Sequence, residues 1–217
     1  SVDELIVIDI DSTTQQLEPD YKMIENIAAE CRMPLCYGGG VKSVEQAERI
    51  FSLGVEKVAI SSAAIEKPDI IAKIASHVGS QSIIVVLDVK KKLLGGYEVY
   101  THNGKISTGI NPLEFIKKIE NLGAGEIVIN SIDQDGMMNG YDLKLVEQVR
   151  KSTSLPLTIL GGAGNLNHIE NLIQIFNYDL SEEERLASSE GYVALASIYD
   201  GEVSWAIGDE EDHKEHP

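Results

Sequence analysis

The sequence predicts a (β/α)8 barrel, and three patterns support that fold class. Short β-branched runs alternate with helical patterns along most of the chain. The runs are almost continuously apolar, as is typical of parallel strands covered by helices on one face. The chain also repeats itself without a gap at an offset of 122 residues, so that Glu4–Asp11 matches Glu126–Asp133. A repeat this long is half of a domain, which indicates two similar half-barrels.

The repeat continues beyond the first strand of each half. Asp20 recurs as Asp142, and Gly39-Gly40 recurs as Gly161-Gly162. Hydrophobic periodicity predicts strands between helical segments. The candidate strands are Glu4–Ile10, Pro34–Tyr37, Lys57–Ser61, Ser82–Val89, Glu126–Ser131 and Pro156–Leu160.

Composition excludes several classes of protein. The chain has 217 residues, enough for one domain with a sizeable core, and a net charge of −17 that would repel nucleic acid. It contains no apolar run long enough to span a membrane and no signal-peptide pattern. Its two cysteines, Cys31 and Cys36, are too few for a disulfide framework and are interpreted as reduced thiols. We therefore expect a cytoplasmic protein that binds neither nucleic acid nor membrane.

A change in composition divides the chain into two parts. Twelve acidic side chains and only two basic ones, Arg185 and Lys214, lie in residues 178–217. We interpret residues 1–177 as the barrel core and residues 178–217 as an atypical acidic segment. Val193–Ser197 resembles Val58–Ser62 at an offset of 135, which predicts a last strand at 192–197.

One segment interrupts the alternation of strands and helices. Lys90–Gly109 contains Gly95-Gly96 and Asn103-Gly104 between runs that carry Tyr and Val, which predicts a β-hairpin insertion. The insertion follows Asp88 at the carboxyl end of a strand, where barrel enzymes place their chemistry. A partly desolvated carboxylate there has a raised pKa, so Asp88 is the leading candidate for acid/base catalysis. A helix-capping or loop-ordering role is the alternative.

The two glycine-rich turns predict a binding site for two phosphates. Gly38-Gly39-Gly40 and Gly161-Gly162-Ala163-Gly164 each follow a strand and precede a helix. Glycines let backbone N–H groups approach an anion, and the following helix N-terminus favours negative charge. Either motif alone is equally consistent with a tight turn, but the symmetric pair favours a substrate with a phosphate at each end.

Hydroxyls and further charges lie at other strand ends. Ser62, with Ser197 as the matching residue of the second half, is expected to cap a helix or donate to a phosphate. Asp9 and Asp135 follow other strands and are candidates for acid/base support. At the opposite, amino ends of the strands, three charged residues each stand where a strand begins: Glu4, Lys57 and Glu126. They are interpreted either as an ion-pair cluster or as ordinary solvated charges.

Taken together, these motifs resemble those of a known family, the cyclase subunit of imidazole glycerol phosphate synthase. The resemblance covers roughly Val2–Phe176. It rests on Gly38-Gly-Gly40, Asp88 with its hairpin, Gly123-Ala-Gly-Glu126, Ser131-Ile-Asp-Gln-Asp-Gly136, Gly140-Tyr-Asp142, Pro156 and Gly161-Gly-Ala-Gly164.

The resemblance implies a barrel lyase of histidine biosynthesis that receives ammonia from a glutaminase subunit in a heterodimer. Its bis-phosphorylated substrate is converted to imidazole glycerol phosphate and an aminoimidazole carboxamide ribotide. Asp88 is then one of two catalytic aspartates, and Glu4, Lys57 and Glu126 belong to an ammonia gate. The implied phosphate ligands are Gly39, Gly40, Ser61, Ser62, Gly136, Gly161, Gly162 and Ser197. No metal or cofactor is expected.

The chain departs from the family pattern in ways that leave alternatives open. The first barrel strand, with the second catalytic aspartate and the gate arginine, has no counterpart in this sequence, so we expect barrel strands 2 to 7 in residues 1–177. Ser61, Leu160, Gln134 and Met137-Met138 replace the residues usual in the family. Such changes resemble paralogues that supply ammonia for amidation in surface-sugar pathways. A catalytically silent fragment or engineered barrel scaffold is the third interpretation.

Overall fold

The structure is a computed structural model that describes residues 4–10, 12 and 17–178, together with short strands at 192–193, 198–199 and 202–203. In chain order the strands are β1 (Leu5–Ile8), β2 (Leu35–Gly38), β3 (Lys57–Ile60), β4 (Ile83–Lys91), β5 (Tyr97–Thr101), β6 (Ile106–Ser107), β7 (Glu126–Ser131), β8 (Leu157–Leu160), β9 (Tyr192–Val193), β10 (Ile198–Tyr199) and β11 (Glu202–Val203). Across these residues, no helix is long and apolar enough to cross a membrane.

Helices follow most of the parallel strands. They are α1 (Tyr21–Glu30), α2 (Val44–Ser52), α3 (Ser62–Glu66), α4 (Asp69–Val78), α5 (Pro112–Asn121), α6 (Leu143–Arg150) and α7 (Leu166–Tyr178), with a 3-10 turn at Ser80–Ser82. Side-chain caps fix several helix starts, because they satisfy N–H groups that lack a partner within the helix. Ser43 and Gln46 form a capping box at α2, and Asn111 with Pro112 begins α5.

A curled parallel sheet forms the centre of the fold. Its neighbours run β1–β2–β3–β4–β7–β8–β9, and each of these pairs is parallel. In a flat sheet, β1 and β7 would lie roughly 19 Å apart, because they are four strand positions apart. Yet Glu4, before β1, and Glu126, on β7, both contact the Lys57 ammonium, at 2.9 and 3.0 Å. The sheet therefore bends around an interior, as the barrel prediction requires.

Alternation along the strands separates an interior from an outer layer. The inward-facing apolar side chains pack in a small cluster of Ile6, Cys36, Ala59, Ile84, Val86, Val128 and Leu160. The other face of each strand joins the larger core beneath the helices, where Ile50, Ile74 and Ile116 are fully buried. Because side chains alternate with a period of two, Asp88 and Asn130 share the inward face with Val86 and Val128.

The predicted hairpin insertion is confirmed, and it lengthens β4. The parallel ladder with β7 ends at Val89 and Ser131, but β4 continues to Lys91 by antiparallel pairing with β5, and β6 pairs with β5. Asp88 therefore does not end its strand, as the sequence had suggested. It lies where the barrel ladder gives way to the hairpin.

Two hydrogen bonds attach the hairpin to the second half of the chain. The Tyr97 hydroxyl lies 2.9 Å from both carboxylate oxygens of Asp142, the N-cap residue of α6. The Lys91 N–H donates to the Asp133 carboxylate at 2.9 Å. The insertion is thus fastened across the carboxyl end of β7.

The 122-residue repeat is present in three dimensions. β2 and β8 match residue for residue at that offset, and α1 and α6 both begin one residue after an aspartate N-cap, Asp20 or Asp142. The β9 backbone pairs with β8 through Thr158 and Tyr192, in the same register as Cys36 and Lys57 between β2 and β3. The 122-residue offset therefore relates β2 to β8, the 135-residue offset relates β3 to β9, and the two pairs of strands have the same register.

The division of the chain at residue 177 stays a prediction. Helix α7 runs through it to Tyr178, and beyond it the described residues comprise only β9, β10 and β11. β10 and β11 pair with each other in an antiparallel two-stranded sheet. The two cysteines are free thiols: Cys36 is buried in the interior cluster, and Cys31 is half-buried.

Candidate active site

Asp88 faces the barrel interior at the carboxyl end of the parallel ladder. It pairs in register with Asn130, whose side-chain Nδ2 donates to Asp88 Oδ1 at 2.9 Å. Burial raises the pKa of the Asp88 carboxyl. The Asn130 hydrogen bond opposes that rise, and the negative charge of Asp135 adds to it. A carboxyl whose pKa moves toward neutrality exchanges protons readily at physiological pH.

The two predicted supporting aspartates lie in different environments. Asp135 is exposed on the loop after β7 and is close enough to act electrostatically on Asp88. Asp9 instead accepts hydrogen bonds from Ser12, at 3.0 Å from the backbone N–H and 2.6 Å from the hydroxyl, and lies 3.5 Å from the Tyr37 hydroxyl. Tyr37 belongs to the outer core rather than to the interior cluster. The structure thus associates Asp135 with Asp88, whereas Asp9 orders its own loop.

The first glycine turn packs against the loop that follows β1. A Cβ atom at Gly39 would lie 2.5 Å from the Asp9 carbonyl oxygen, and one at Gly40 would lie 2.8 Å from that of Leu17. Gly39 has a φ of +127°, which side-chain-bearing residues rarely adopt. In the next helix, α2, the capping box satisfies the N–H groups of Ser43 and Gln46. Close loop packing therefore accounts for these glycines even without an anion.

The second glycine turn packs in the equivalent way. A Cβ atom at Gly161 would lie 2.8 Å from the Ser131 carbonyl oxygen, and one at Gly162 would lie 2.2 Å from that of Gly140. The Gly140 N–H also donates to the Gly162 carbonyl at 2.7 Å. Gly136 lies on the same β7 loop, in open space. The turn and this loop thus form one packed unit at the carboxyl end of β7 and β8.

Gly162→Ala is expected to destabilise the fold much more than Gly136→Ala. Both residues have positive φ, +107° and +72°, so alanine is strained at each position, by about 1–2 kcal/mol in the left-handed region near Gly136. Only at Gly162 would the new methyl group also collide with backbone. Urea unfolding of the two variants measures the difference. Equal losses of unfolding free energy would show that the close approach to Gly140 contributes nothing.

The hydroxyls after β3 differ from the sequence prediction in one respect. Ser62 is the first residue of α3, and its N-cap is Ser61, whose side chain makes no capping hydrogen bond. Ser62 Oγ instead accepts from the His102 N–H of the hairpin at 3.3 Å. A capping role for Ser62 is therefore wrong, because the helix begins one residue earlier. Ser197 lies outside the described residues.

A charge cluster closes the amino end of the interior. Lys57 Nζ contacts Glu4 and Glu126, and Glu126 accepts a second hydrogen bond from the Thr158 hydroxyl at 2.9 Å. The side chains of Lys57, Glu4 and Glu126 are 23%, 13% and 5% exposed. Burial lowers the pKa of the Lys57 ammonium, but its hydrogen bonds to the two carboxylates reverse that effect and hold the pKa above its usual value. The predicted ion-pair cluster is confirmed, and solvated charges are excluded.

The thiol of Cys36 lies between this cluster and the apolar interior. Burial raises its pKa well above the usual value, and the charges of Glu4 and Glu126 add to the rise. The thiol is therefore neutral and behaves as a small apolar side chain. It continues the apolar lining that connects the charge cluster to Asp88.

Three residues that no sequence motif indicated also belong to these sites. Thr158 is the one polar residue of β8, and Asn130 shares the inward face of β7 with Val128, so alternation along the two strands could have indicated both. His102 has a φ of +53°, and its contact with Ser62 joins residues 40 positions apart. No local pattern predicts such a contact. No cluster of three or more His, Cys, Asp or Glu side chains suited to a metal ion occurs in the part of the chain that the structure describes.

Comparison with known proteins identifies relatives of the whole barrel segment. Residues 1–181 match the family described as "Histidine biosynthesis protein". The chain is 55% identical over 173 residues to a Vibrio vulnificus (strain YJ016) protein named "Putative imidazole glycerol phosphate synthase subunit hisF3", covering 79% of this chain and 66% of that protein. It is 51% identical over 173 residues to a likewise named HisF subunit of Leptospira borgpetersenii, covering 79% and 68% of the two chains.

A third relative carries the subunit name without a qualifier. The imidazole glycerol phosphate synthase subunit HisF of Thermobifida fusca (strain YX) is 39% identical over 171 residues, covering 76% of this chain and 67% of that protein. The chain thus spans about two thirds of the length of these relatives. The family match, these identities and the curled parallel sheet agree, and the chain belongs to the histidine biosynthesis family of (β/α)8-barrel proteins.

Proposed function

We propose that the chain forms the core of a cyclase subunit of the imidazole glycerol phosphate synthase type. The observation that carries the proposal is the arrangement of the interior. Asp88 stands at the carboxyl end and a buried charge cluster at the amino end, with an apolar lining between them. The family supports the same assignment, since its members include subunits with that name.

In this proposal ammonia enters past the charge cluster and reacts beside Asp88. Its nitrogen bonds to the ketone carbon of the ribulosyl substrate and the ketone oxygen leaves as water. Ring closure then forms the imidazole, and cleavage of a C–N bond releases the aminoimidazole carboxamide ribotide. Asp88 serves as a proton donor and acceptor in these steps, which its raised pKa favours.

The charge cluster is the proposed gate to that interior. Glu126 is nearly enclosed and is bonded to both Lys57 and Thr158, so it stays in place when the Lys57 ammonium moves. Lys57 is the more exposed member and can turn outward toward solvent. A glutaminase subunit docked over this end would deliver ammonia without losing it to water. Partner and gate are both parts of the proposal.

The glycine turns are the proposed phosphate sites. Their packing against neighbouring loops does not need an anion, so support for this role comes from the symmetry of the two turns and from the bis-phosphorylated substrate of the family. Gly39 and Gly40 with Ser61 and Ser62 would bind one phosphate. Gly136, Gly161 and Gly162, with Ser197, would bind the other.

The decisive experiment is a turnover assay with purified full-length protein, ammonium salts and the ribulosyl intermediate of histidine biosynthesis. We expect formation of both imidazole glycerol phosphate and the carboxamide ribotide in equal amounts. Added glutaminase subunit should let glutamine replace ammonium salts. Absence of both products under every condition would contradict the proposal.

A second function is favoured by a specific observation. The chain is 55% and 51% identical to relatives with provisional names, but 39% identical to the Thermobifida protein. Its unusual residues Ser61, Leu160 and Gln134 lie at or beside the proposed site. These differences fit an amidation subunit that supplies ammonia in surface-sugar synthesis. Ammonia-dependent amidation of a surface-sugar precursor, without turnover of the histidine intermediate, would select this function. If neither substrate is converted, the chain would be interpreted as a catalytically silent scaffold.

A further inference from the structure

We propose that the carboxamide oxygen of Asn130 is the hydrogen-bond acceptor that receives ammonia beside Asp88. The proposal rests on the ammonia-dependent function above and assigns a role to a residue that the sequence motifs did not single out. It is built from four features of the site: strand register, amide orientation, an unsatisfied oxygen and an apolar approach.

Register places Asn130 next to Asp88 on the inner face of the sheet. The two residues are direct partners in the parallel ladder of β4 and β7. Two residues below each of them on the same face are Val86 and Val128, which belong to the interior apolar cluster. Asn130 is therefore the first polar side chain of β7 above the apolar lining.

The bond to Asp88 fixes which way the amide points. Nδ2 donates to Asp88 Oδ1 at 2.9 Å, and a carboxylate can only accept. With the amide reversed, two oxygens would face each other, which is unfavourable while Asp88 is ionised. Oδ1 of Asn130 is thus turned away from Asp88 and is held in a defined direction.

That oxygen is buried and has no hydrogen-bond partner among the described residues. A buried acceptor without a donor is costly, and such groups are rare in folded proteins. A Cβ atom placed at Gly161 would lie 3.4 Å from it, so the second glycine turn borders the oxygen without supplying a donor. The Asn130 oxygen can therefore accept a hydrogen bond from a small molecule that binds at this site.

Ammonia matches this requirement better than a larger substrate group. It donates through N–H while its lone pair stays free to attack a carbon atom. It also passes along an apolar lining that ions avoid, and that lining connects the Lys57 cluster to Asn130. Bound to Asn130 Oδ1, ammonia would lie beside the Asp88 carboxyl, which can take up a proton after attack.

The test compares Asn130→Leu with Asn130→Asp in steady-state turnover with ammonium salts. Leucine has a similar shape but no acceptor, so we expect the KM for ammonium to rise roughly fivefold to tenfold, as for loss of one neutral hydrogen bond. The KM for the phosphorylated substrate should change less than twofold. Aspartate keeps an acceptor but loses the donor to Asp88, so kcat should fall and the pH profile shift, with the KM for ammonium near the wild-type value.

Two controls separate this role from a structural one. Asn121→Leu makes the same change at an exposed residue at the end of α5 and should leave both KM values unchanged. Thermal unfolding should show that Asn130→Leu folds. An unchanged KM for ammonium in folded Asn130→Leu, or an equal rise in both Asn130 variants, would overturn the proposal.

A readout without turnover distinguishes failure of this proposal from failure of the proposed function. The side-chain amide signals of Asn130 in NMR spectra, identified by their loss in Asn130→Leu, should shift when ammonium chloride replaces sodium chloride at pH 9. A wild-type protein that shows this shift but forms no product would refute the cyclase function alone. A protein that forms product without the shift would refute the role of Asn130 alone.

Discussion

Asp88→Asn should reduce ammonia-dependent turnover by a factor of about 10²–10⁴, the usual contribution of a general acid or base. Asparagine has nearly the same shape and still accepts the Asn130 hydrogen bond, so the site should keep its geometry. The loss should appear in kcat at every ammonium concentration. Turnover close to that of the wild type would remove Asp88 from the mechanism.

The same substitution should make the protein more stable at neutral pH. Burial raises the pKa of Asp88 in the folded state, so the folded protein binds this proton more tightly than the unfolded chain does. The ionised carboxylate therefore costs stability above its folded pKa, and that cost disappears as the pH falls through the folded pKa toward the unfolded value. Urea unfolding should show Asp88→Asn more stable at pH 7, with a smaller difference at pH 4.

Asp135→Asn provides the matched control. It removes a charge that raises the pKa of Asp88 but leaves the Asp88 carboxyl in place. The acidic limb of the pH–rate profile should therefore move to lower pH while turnover persists. A variant that loses turnover as completely as Asp88→Asn would show that Asp135 itself takes part in the chemistry.

Lys57→Met should cost about 3 kcal/mol of unfolding free energy, the second large effect expected. The substitution leaves Glu4 and Glu126 close together and without their cation, and removal of one member of a buried ion pair is strongly destabilising. Since the Lys57 pKa is raised in the folded state, the lost stabilisation is present throughout the neutral range. It should fade only as the pH rises above the ordinary lysine pKa of about 10.4.

Lys22→Met tests whether burial is the cause. Lys22 pairs with Glu25 at 2.8 Å, nearly the same distance as in the Lys57 cluster, but these side chains are 77% and 54% exposed. Such exposed pairs contribute little to stability, because solvent screens their attraction. Guanidinium chloride unfolding of both variants at pH 7 gives the comparison. Equal losses would mean that the Lys57 cluster is energetically an ordinary surface pair.

Much of the architecture follows from the sequence because the repeat constrains it twice. Leu35 and Leu157 begin equivalent strands, and Asp20 and Asp142 cap equivalent helices, so each half supports the prediction for the other. The charge cluster could also be predicted from the sequence. Glu4, Lys57 and Glu126 stand at strand starts, and a closed barrel brings such positions together.

Other features depend on register, which a single sequence does not fix. The pairing of Asp88 with Asn130 follows from how β4 slides along β7, and one residue of slip would place the two side chains on opposite faces of the sheet. Asp9 resembles a site residue because it follows a strand. Its carboxylate accepts two hydrogen bonds from Ser12, whose position depends on the course of the loop, and its support of the chemistry stays a prediction. Local sequence patterns thus identify candidate site residues, and the tertiary fold determines which of their side chains lie together.

The longest ladder of the sheet has a consequence for how the molecule opens. β4 and β7 share six paired positions, the longest parallel ladder among the described strands, and the Tyr97–Asp142 contact joins the hairpin after β4 to the helix after β7. Strands that share so many backbone bonds tend to exchange their amide protons in one cooperative event. We therefore expect the amide protons of β4 and β7 to be among the slowest to exchange with solvent.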